Sequence, residues 1–427
     1  MTGAAAALAA AALAFGGALR GDPGNAAPRV SGAPVVASVP SRSTEQTVER
    51  LQAELRATPR DGRGYADLGL AYEQRARETG DPSYYSKADG VLRRALRLRP
   101  GDLAATAGLG SLALSRHRFR QALALGRRVV RLSPTTAVGY GIVGDALVEL
   151  GRYEAAFQAF DRMAELKPGV ASYSRIAYGR ELLGDTAGAE QALRFAVDAA
   201  SSAGEPTAWT HWQLGKLYWS AGRAPAAEHE FRAALAAFPG YPYALDALAL
   251  AKAARGQAGK AIELERRAVD AIPLPQFVAN LGDLYRADGR TLQARRQFAL
   301  IGVIQRLLAA NGVKTDLEAA LFDVDHGIRL GHALAVARRA RAERPSIDGD
   351  DVLAWALARN GRCQEALTHS RRALRLGTRD ALKLFHRGMI ERCLGHHAAG
   401  NAYLRSALAV NPHFSIVWAP VARRALR

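Results

Sequence analysis

The sequence predicts an all-α protein, a right-handed superhelical solenoid of about ten helical hairpins with a capping helix at each end. Three observations lead to this prediction. Small residues recur every 33 to 39 residues, glycines and prolines recur between them, and the two-residue alternation of β-strands is nearly absent. Hydrophobic residues make up 49% of the chain but aromatic residues only 7%, because most of the apolar content is Ala and Leu, which favour helices.

One small residue marks each predicted hairpin. These residues are Ala88, Ala122, Ala156, Ala189, Ala227, Ala261, Ala294, Ala333, Ala366 and Gly400. Twelve residues earlier most units have a second small residue, such as Gly144, and twelve residues later most end in proline, such as Pro134. We interpret the small pair as the contact between two antiparallel helices and the proline as the end of the second helix. A glycine between the helices, such as Gly151, suits the left-handed conformation that ends the first helix.

Motifs inside the repeats point to a known family. Residues 65–72 (YADLGLAY) and 214–218 (LGKLY) have a first-helix pattern. A second-helix pattern is seen in Ala156 with Phe160, Ala227 with Phe231, and Ala294 with Phe298. Over roughly residues 60–412 the chain resembles the tetratricopeptide repeat family. The resemblance implies that the first helices of successive units line a concave groove in which a peptide or a partner helix lies.

The repeat boundaries divide the chain into six parts. We expect an apolar signal peptide or membrane anchor at 1–19, a flexible Gly/Pro/Ala/Ser-rich linker at 20–43, an N-terminal capping helix at 44–61, repeats 1–7 at 62–313, repeats 8–10 at 314–412, and a C-terminal capping helix at 413–427. The apolar run at 298–308 extends the second helix of repeat 7. We expect this longer helix to tilt the last three repeats away from the first seven.

The N-terminal apolar run determines the expected location. Residues 4–19 form a run of 16 residues without a charged side chain. This run is shorter than the ~20 residues that span a bilayer, but its length suits the apolar core of a signal peptide. No Lys or Arg precedes the run, so the pattern is incomplete. We therefore expect an extracytoplasmic protein, secreted or tethered to the membrane. The alternative is an Ala-rich tail on a cytoplasmic protein.

No catalytic motif is found. The sequence has no P-loop, no H-E-x-x-H and no G-x-S-x-G, so we expect neither an enzyme nor a cofactor. The best metal candidates are Cys363, Cys393, His396 and His397, but their spacing matches no zinc pattern, and we predict no metal site. For Cys363 and Cys393 we favour two unpaired thiols, and a disulfide between them is the alternative. The acidic segment 316–326 has helical spacing, which favours carboxylates in solvent over a calcium or catalytic site.

The predicted groove surface comes from the first helices of repeats 4 to 7. Its candidate partner-binding residues are Arg175, Tyr178, Glu181, Trp209, Trp212, Lys216, Trp219, Tyr243, Asn280 and Asp283. Trp209, Trp212 and Lys216 share one helical face, and exposed aromatic and basic side chains are typical of interface hot spots. The alternative is that the rings fill the space between neighbouring hairpins.

Charge suggests a second surface. The formal net charge is +18, and residues 327–427 alone have 18 basic and 7 acidic residues, a net charge of +11. We expect the arginines of the second helices to lie on the convex side, where an anionic membrane surface is a possible partner. The main hypothesis is a non-enzymatic scaffold that binds a protein or peptide in its groove. The alternative is a cytoplasmic regulatory adaptor whose basic face contacts nucleic acid or other acidic partners; the lack of a helix-turn-helix or RNA-binding module disfavours nucleic acid.

Overall fold

The structure is a computed structural model that describes residues 43–200 and 204–427. Within these ranges the chain has 22 α-helices and no β-strand, which confirms the predicted fold class. The helices are α1 Thr44–Ala57, α2 Gly62–Thr79, α3 Ser83–Leu98, α4 Leu103–Ser115, α5 Phe119–Leu132, α6 Ala137–Glu149, α7 Tyr153–Leu166, α8 Val170–Leu182, α9 Thr186–Asp198, α10 Glu205–Ser220, α11 Ala224–Ala237, α12 Pro242–Ala254, α13 Ala258–Ala271, α14 Pro275–Ala287, α15 Thr291–Ala310, α16 Asp316–His326, α17 Leu330–Glu343, α18 Ile347–Arg359, α19 Cys363–Ala373, α20 Ala381–Cys393, α21 His397–Val410 and α22 Trp418–Ala425.

Helices α2 to α21 form ten consecutive antiparallel hairpins, which we number as repeats 1 to 10. Within a hairpin the two helices approach closely at the small residues. Ala156 and Ala227 are fully buried, and a Cβ added to Gly144 or Gly215 would lie 3.2 Å from the carbonyl oxygen of the respective alanine. Such a Cβ would also overlap the ring of a buried phenylalanine. The small residues are therefore required by the helix contact.

The turns inside the hairpins have left-handed backbone. Gly151 has a φ of +69° and Gly222 a φ of +73°, a conformation that glycine adopts without strain. In repeat 2 the same position is occupied by His117, with a φ of +54°. A non-glycine residue in this region is strained, and it is held there by a contact to a distant part of the chain.

The contact of His117 is one of a series of contacts between two successive turns of the superhelix, in which the second superhelical turn packs on the first. The turns of repeats 2, 3 and 4 contact the starts of the hairpins six repeats further along, and the turn of repeat 5 contacts the segment that follows repeat 10, at sequence separations of 192 to 197 residues. The hydrogen-bonded pairs include His117 with Lys314, Tyr153 with Ile347, Leu182 with Thr378, and Trp219 with Asn411. Six repeats therefore make one turn of this solenoid.

The longer helix α15 has the opposite effect from the one expected. At its C-terminal end Asn311 accepts a hydrogen bond of 3.0 Å from Ser86 of repeat 1, and Lys314 N–H donates to the carbonyl of Arg116 at 3.2 Å. The extra residues of α15 therefore bring the segment that follows it into contact with the first superhelical turn. The prediction that the last three repeats tilt away is therefore wrong.

The expected location is also corrected. In the part of the chain that the structure describes, no helix is long and apolar enough to cross a membrane. The prediction of an extracytoplasmic protein, secreted or membrane-tethered, is therefore contradicted. The apolar run at 4–19 and the linker before residue 43 lie outside the described residues.

Candidate functional site

The ten predicted groove residues lie on the first helices α8, α10, α12 and α14, but most are buried. Trp209, Trp212 and Trp219 all belong to one hydrophobic cluster inside repeats 4 to 6. The expectation of exposed rings is wrong for these three residues, because neighbouring hairpins pack against both sides of α10. The alternative, in which the rings fill the space between hairpins, describes them better.

Arg175 is a structural residue. Its guanidinium is buried and binds the carboxylate of Asp145 with two hydrogen bonds, Nε–Oδ1 at 2.9 Å and Nη2–Oδ2 at 2.7 Å. This bidentate pair joins α6 to α8, the first helices of consecutive repeats. Neither Arg175 nor Trp209 borders any of the cavities described below.

Five of the predicted residues do meet at one opening. A cavity of about 440 Å³, here called the groove cavity, lies between α10, α12 and α14 on one side and residues 413–423 on the other. Its lining contains the predicted residues Trp212, Lys216, Trp219, Asn280 and Asp283. Sequence reasoning missed the other residues that shape it, which include Asp246, Leu250, Ala254, Leu284, Phe414 and Ile416.

The polar floor of the groove cavity consists of carboxyl groups that have partners. Asn280 Nδ2 donates to Asp246 Oδ1 at 2.6 Å, and Asp283 Oδ1 accepts from Arg286 at 2.7 Å and lies 3.0 Å from His326 Nε2. Burial raises the pKa of Asp246 to about 6. Burial, with the neighbouring charge of Asp246, raises the pKa of Glu265 well above its usual value.

Lys216 lies between the groove cavity and a smaller cavity of about 80 Å³. Its ammonium is 4.7 Å from the centre of the Trp212 ring, a cation–π contact. Burial lowers the pKa of Lys216, an effect that the charge of Glu181 opposes. The smaller cavity is lined by Tyr178 and Glu181, and Lys383 of repeat 10 closes it. Tyr243 instead borders a third cavity of about 110 Å³.

The C-terminal segment forms the outer wall of the groove cavity. Phe414 is buried, and Ile416 packs against the cluster that contains Leu284. Beyond it, Trp418 Nε1 donates to Asp325 at 2.9 Å. The concave surface of repeats 5 to 7 is thus partly occupied by the chain's own C-terminus.

Asp325 departs from the expectation for the acidic segment. Its carboxylate is buried and accepts hydrogen bonds of 2.9 Å from the indoles of both Trp355 and Trp418. The prediction that the carboxylates of α16 all lie in solvent is wrong at this position, because Trp355 on α18 and Trp418 on α22 cover the end of α16. No local pattern in the sequence indicates such a partner.

The two cysteines form a disulfide. Cys363 begins α19 and Cys393 ends α20, and their Cα atoms are 6.1 Å apart at the same edge of the solenoid. The structure therefore contains the disulfide that the sequence analysis kept as the alternative, and the preference for unpaired cysteines is wrong. His396 Nδ1 lies 2.8 Å from Glu391 Oε2. Among the described residues no group of three or more His, Cys, Asp or Glu side chains could hold a metal ion.

No family model matches the chain, and no curated protein sequence matches it. Several solved structures are similar. The crystal structure of MamA is 20% identical over 39% of this chain and 97% of its own, with a TM-score of 0.32. YrrB, described as a TPR protein with an unusual peptide-binding site, is 19% identical over 44% of this chain and 94% of its own, with a TM-score of 0.29. The human IFIT1 dimer with PPP-AAAA is 15% identical over 86% of both chains, with a TM-score of 0.49.

These likenesses concern the fold alone, and the repeat geometry defines the class. Ten hairpins of the expected length, the buried small residues and the left-handed turns give this chain the fold of a tetratricopeptide-repeat solenoid.

Proposed function

We propose that this protein is a non-enzymatic scaffold that binds a short segment of a partner protein in the groove cavity. The observation that supports the proposal is the opening of about 440 Å³ that remains between the first helices of repeats 5 to 7 and the C-terminal segment. This volume falls within the ~300–1,000 Å³ of typical ligand pockets.

The lining indicates what the partner segment contributes. The walls are apolar and aromatic, with Trp219, Leu250, Leu284 and Ile416, while Asp246 supplies carboxyl oxygens at the floor. A large apolar side chain fits the walls, and a hydrogen-bond donor beside it fits the acceptors. The cavity is too small for an extended peptide along the whole groove. We infer that the partner inserts a single anchor residue.

A cavity-filling substitution tests this proposal without removing core atoms. Trp212→Ala is unsuitable because it would leave a void in the core. Ala254 borders the cavity and is only half buried, so Ala254→Phe would fill the opening instead. Ala236→Phe, on the exposed face of α11, is the matched control. Peptides selected from a random display library on the full-length protein serve as ligands, and their affinities are measured by fluorescence anisotropy.

The selected peptides should share an apolar or aromatic residue. Their binding should weaken at least tenfold in Ala254→Phe and stay within about twofold in Ala236→Phe. Equal affinity for both variants would show that the cavity is not the binding site.

The alternative function predicts different behaviour. Arg127, Arg338 and Arg371 are exposed on second helices, as contact with an acidic partner requires. If nucleic acid is that partner, a labelled single-stranded oligonucleotide should bind with steep salt dependence, and Ala254→Phe should not change its affinity.

A further inference from the structure

Helix α15 presents an apolar face that nothing in the described chain covers. Leu300, Val303 and Leu307 are 45%, 52% and 54% exposed. With Leu292, this one helix has four of the eight large apolar side chains that are exposed among the described residues. The other four lie on separate parts of the chain, so among the described helices only α15 concentrates exposed apolar surface.

The exposed residues have the spacing of a helix–helix seam. Leu300, Val303, Leu307 and Ala310 follow one another at intervals of three, four and three residues, which is the a/d pattern of a coiled coil. Ile301, on the opposite face, is buried in the core, so the helix is held firmly in place. A rigid seam costs little conformational entropy when a second helix packs on it.

The charge around the seam has one sign. Arg295, Arg296 and Arg306 are exposed, and the 20 residues of α15 include no Asp or Glu. None of the three arginines forms an ion pair with another described residue. A helix that packs here with acidic residues beside its apolar positions would therefore gain both apolar contacts with the seam and electrostatic attraction to the arginines.

We propose that this surface, defined by Leu300, Val303, Leu307 and Ala310, docks an acidic amphipathic helix of a partner protein. A second copy of the chain fits less well, because pairing two α15 helices brings arginines together. A membrane also fits less well, because helices that lie on membranes bury a broad face that includes aromatic rings. The only aromatic residue of α15, Phe298, turns inward against Phe322, with ring centres 5.7 Å apart.

A synthetic helix tests the surface directly. The probe is a labelled peptide of three heptads with Leu at positions a and d and Glu at e and g, titrated with the full-length protein and followed by anisotropy. The binding variant is Leu300→Glu with Leu307→Glu, both at exposed positions, so the fold should persist and circular dichroism checks it. The matched control is Leu132→Glu, whose leucine is also 45% exposed but lies on α5.

The wild type should bind the acidic peptide with a Kd of roughly 1–100 μM, as a short seam allows. The double variant should bind at least tenfold more weakly and Leu132→Glu within about twofold. A second peptide with Lys in place of Glu should also bind at least tenfold more weakly than the acidic one. Ala254→Phe should leave this binding unchanged, which separates the surface from the groove cavity.

Three results would overturn the proposal. The first is equal affinity for the acidic and basic peptides, or unchanged affinity in the double variant. The second is a wild-type dimer in sedimentation that the double variant loses, since the face would then be a self-interface. The third is binding to phosphatidylglycerol vesicles that the double variant abolishes, without any binding of the acidic peptide.

Discussion

The contact between superhelical turns can be measured with two glycines. Gly222 and Gly256 occupy the same position in repeats 5 and 6, and both have a φ of +73°. A Cβ added to Gly222 would lie 2.6 Å from the carbonyl oxygen of Val410 in the second turn. A Cβ added to Gly256 would meet nothing within 4 Å. Alanine at either position carries the same backbone strain, but only Gly222→Ala disturbs the contact between turns.

The expected magnitudes follow from these distances. Alanine in the left-handed region costs about 1–2 kcal/mol, which is the full cost for Gly256→Ala. Gly222→Ala adds an overlap worth about 1–3 kcal/mol. If the second turn moves away, the hydrogen bond of 2.9 Å from Asn411 to the Trp219 carbonyl is also weakened, at about 0.5–1.5 kcal/mol. Gly222→Ala should therefore lower the free energy of unfolding by about 2–6.5 kcal/mol, the upper end including the loss of this hydrogen bond.

Urea denaturation followed by circular dichroism compares the two variants. Because helical repeats can unfold in segments, amide hydrogen exchange of residues 404–427 is measured as well. Exchange there should accelerate in Gly222→Ala and stay unchanged in Gly256→Ala. Equal losses of stability, with equal exchange at the C-terminus, would refute the conclusion that the two turns stabilise each other.

Three further predictions concern two buried charged residues and the disulfide. Burial raises the pKa of Glu73 to about 8, so the folded state keeps a proton that the unfolded state releases near pH 4.5. Stability should thus fall as pH rises from about 5 to about 8, and Glu73→Gln should flatten that slope in urea midpoints; an unchanged slope would contradict it. Arg344 forms a buried ion pair with Glu149 across the two turns. Arg344→Met should cost about 3–5 kcal/mol in thermal unfolding, and an unchanged Tm would argue against the pair. Reducing the Cys363–Cys393 disulfide, which spans 30 residues, should cost about 3–4 kcal/mol, whereas a Cys363→Ala variant should show no effect of reductant.

The candidate site was only partly predictable from sequence. Periodicity placed Trp212 and Lys216 on one helical face, and the structure joins them in a cation–π contact. It could not show that Trp209 is buried, because the residues that cover it belong to neighbouring hairpins. It also could not place Phe414 opposite Trp212, since about 200 residues separate the two walls of the groove cavity.

The hairpins themselves are determined by sequence, because each depends on residues within about 34 positions. A small residue such as Ala227 is required where two helices touch, and a glycine such as Gly222 is required where the backbone turns left-handed. The closure of the superhelix was decided only by tertiary structure. Small rotations between successive hairpins add up over six repeats, and they depend on how side chains pack at every interface. Contacts such as that of His117 with Lys314 follow from the accumulated rotation of the hairpins, and no local sequence pattern indicates them.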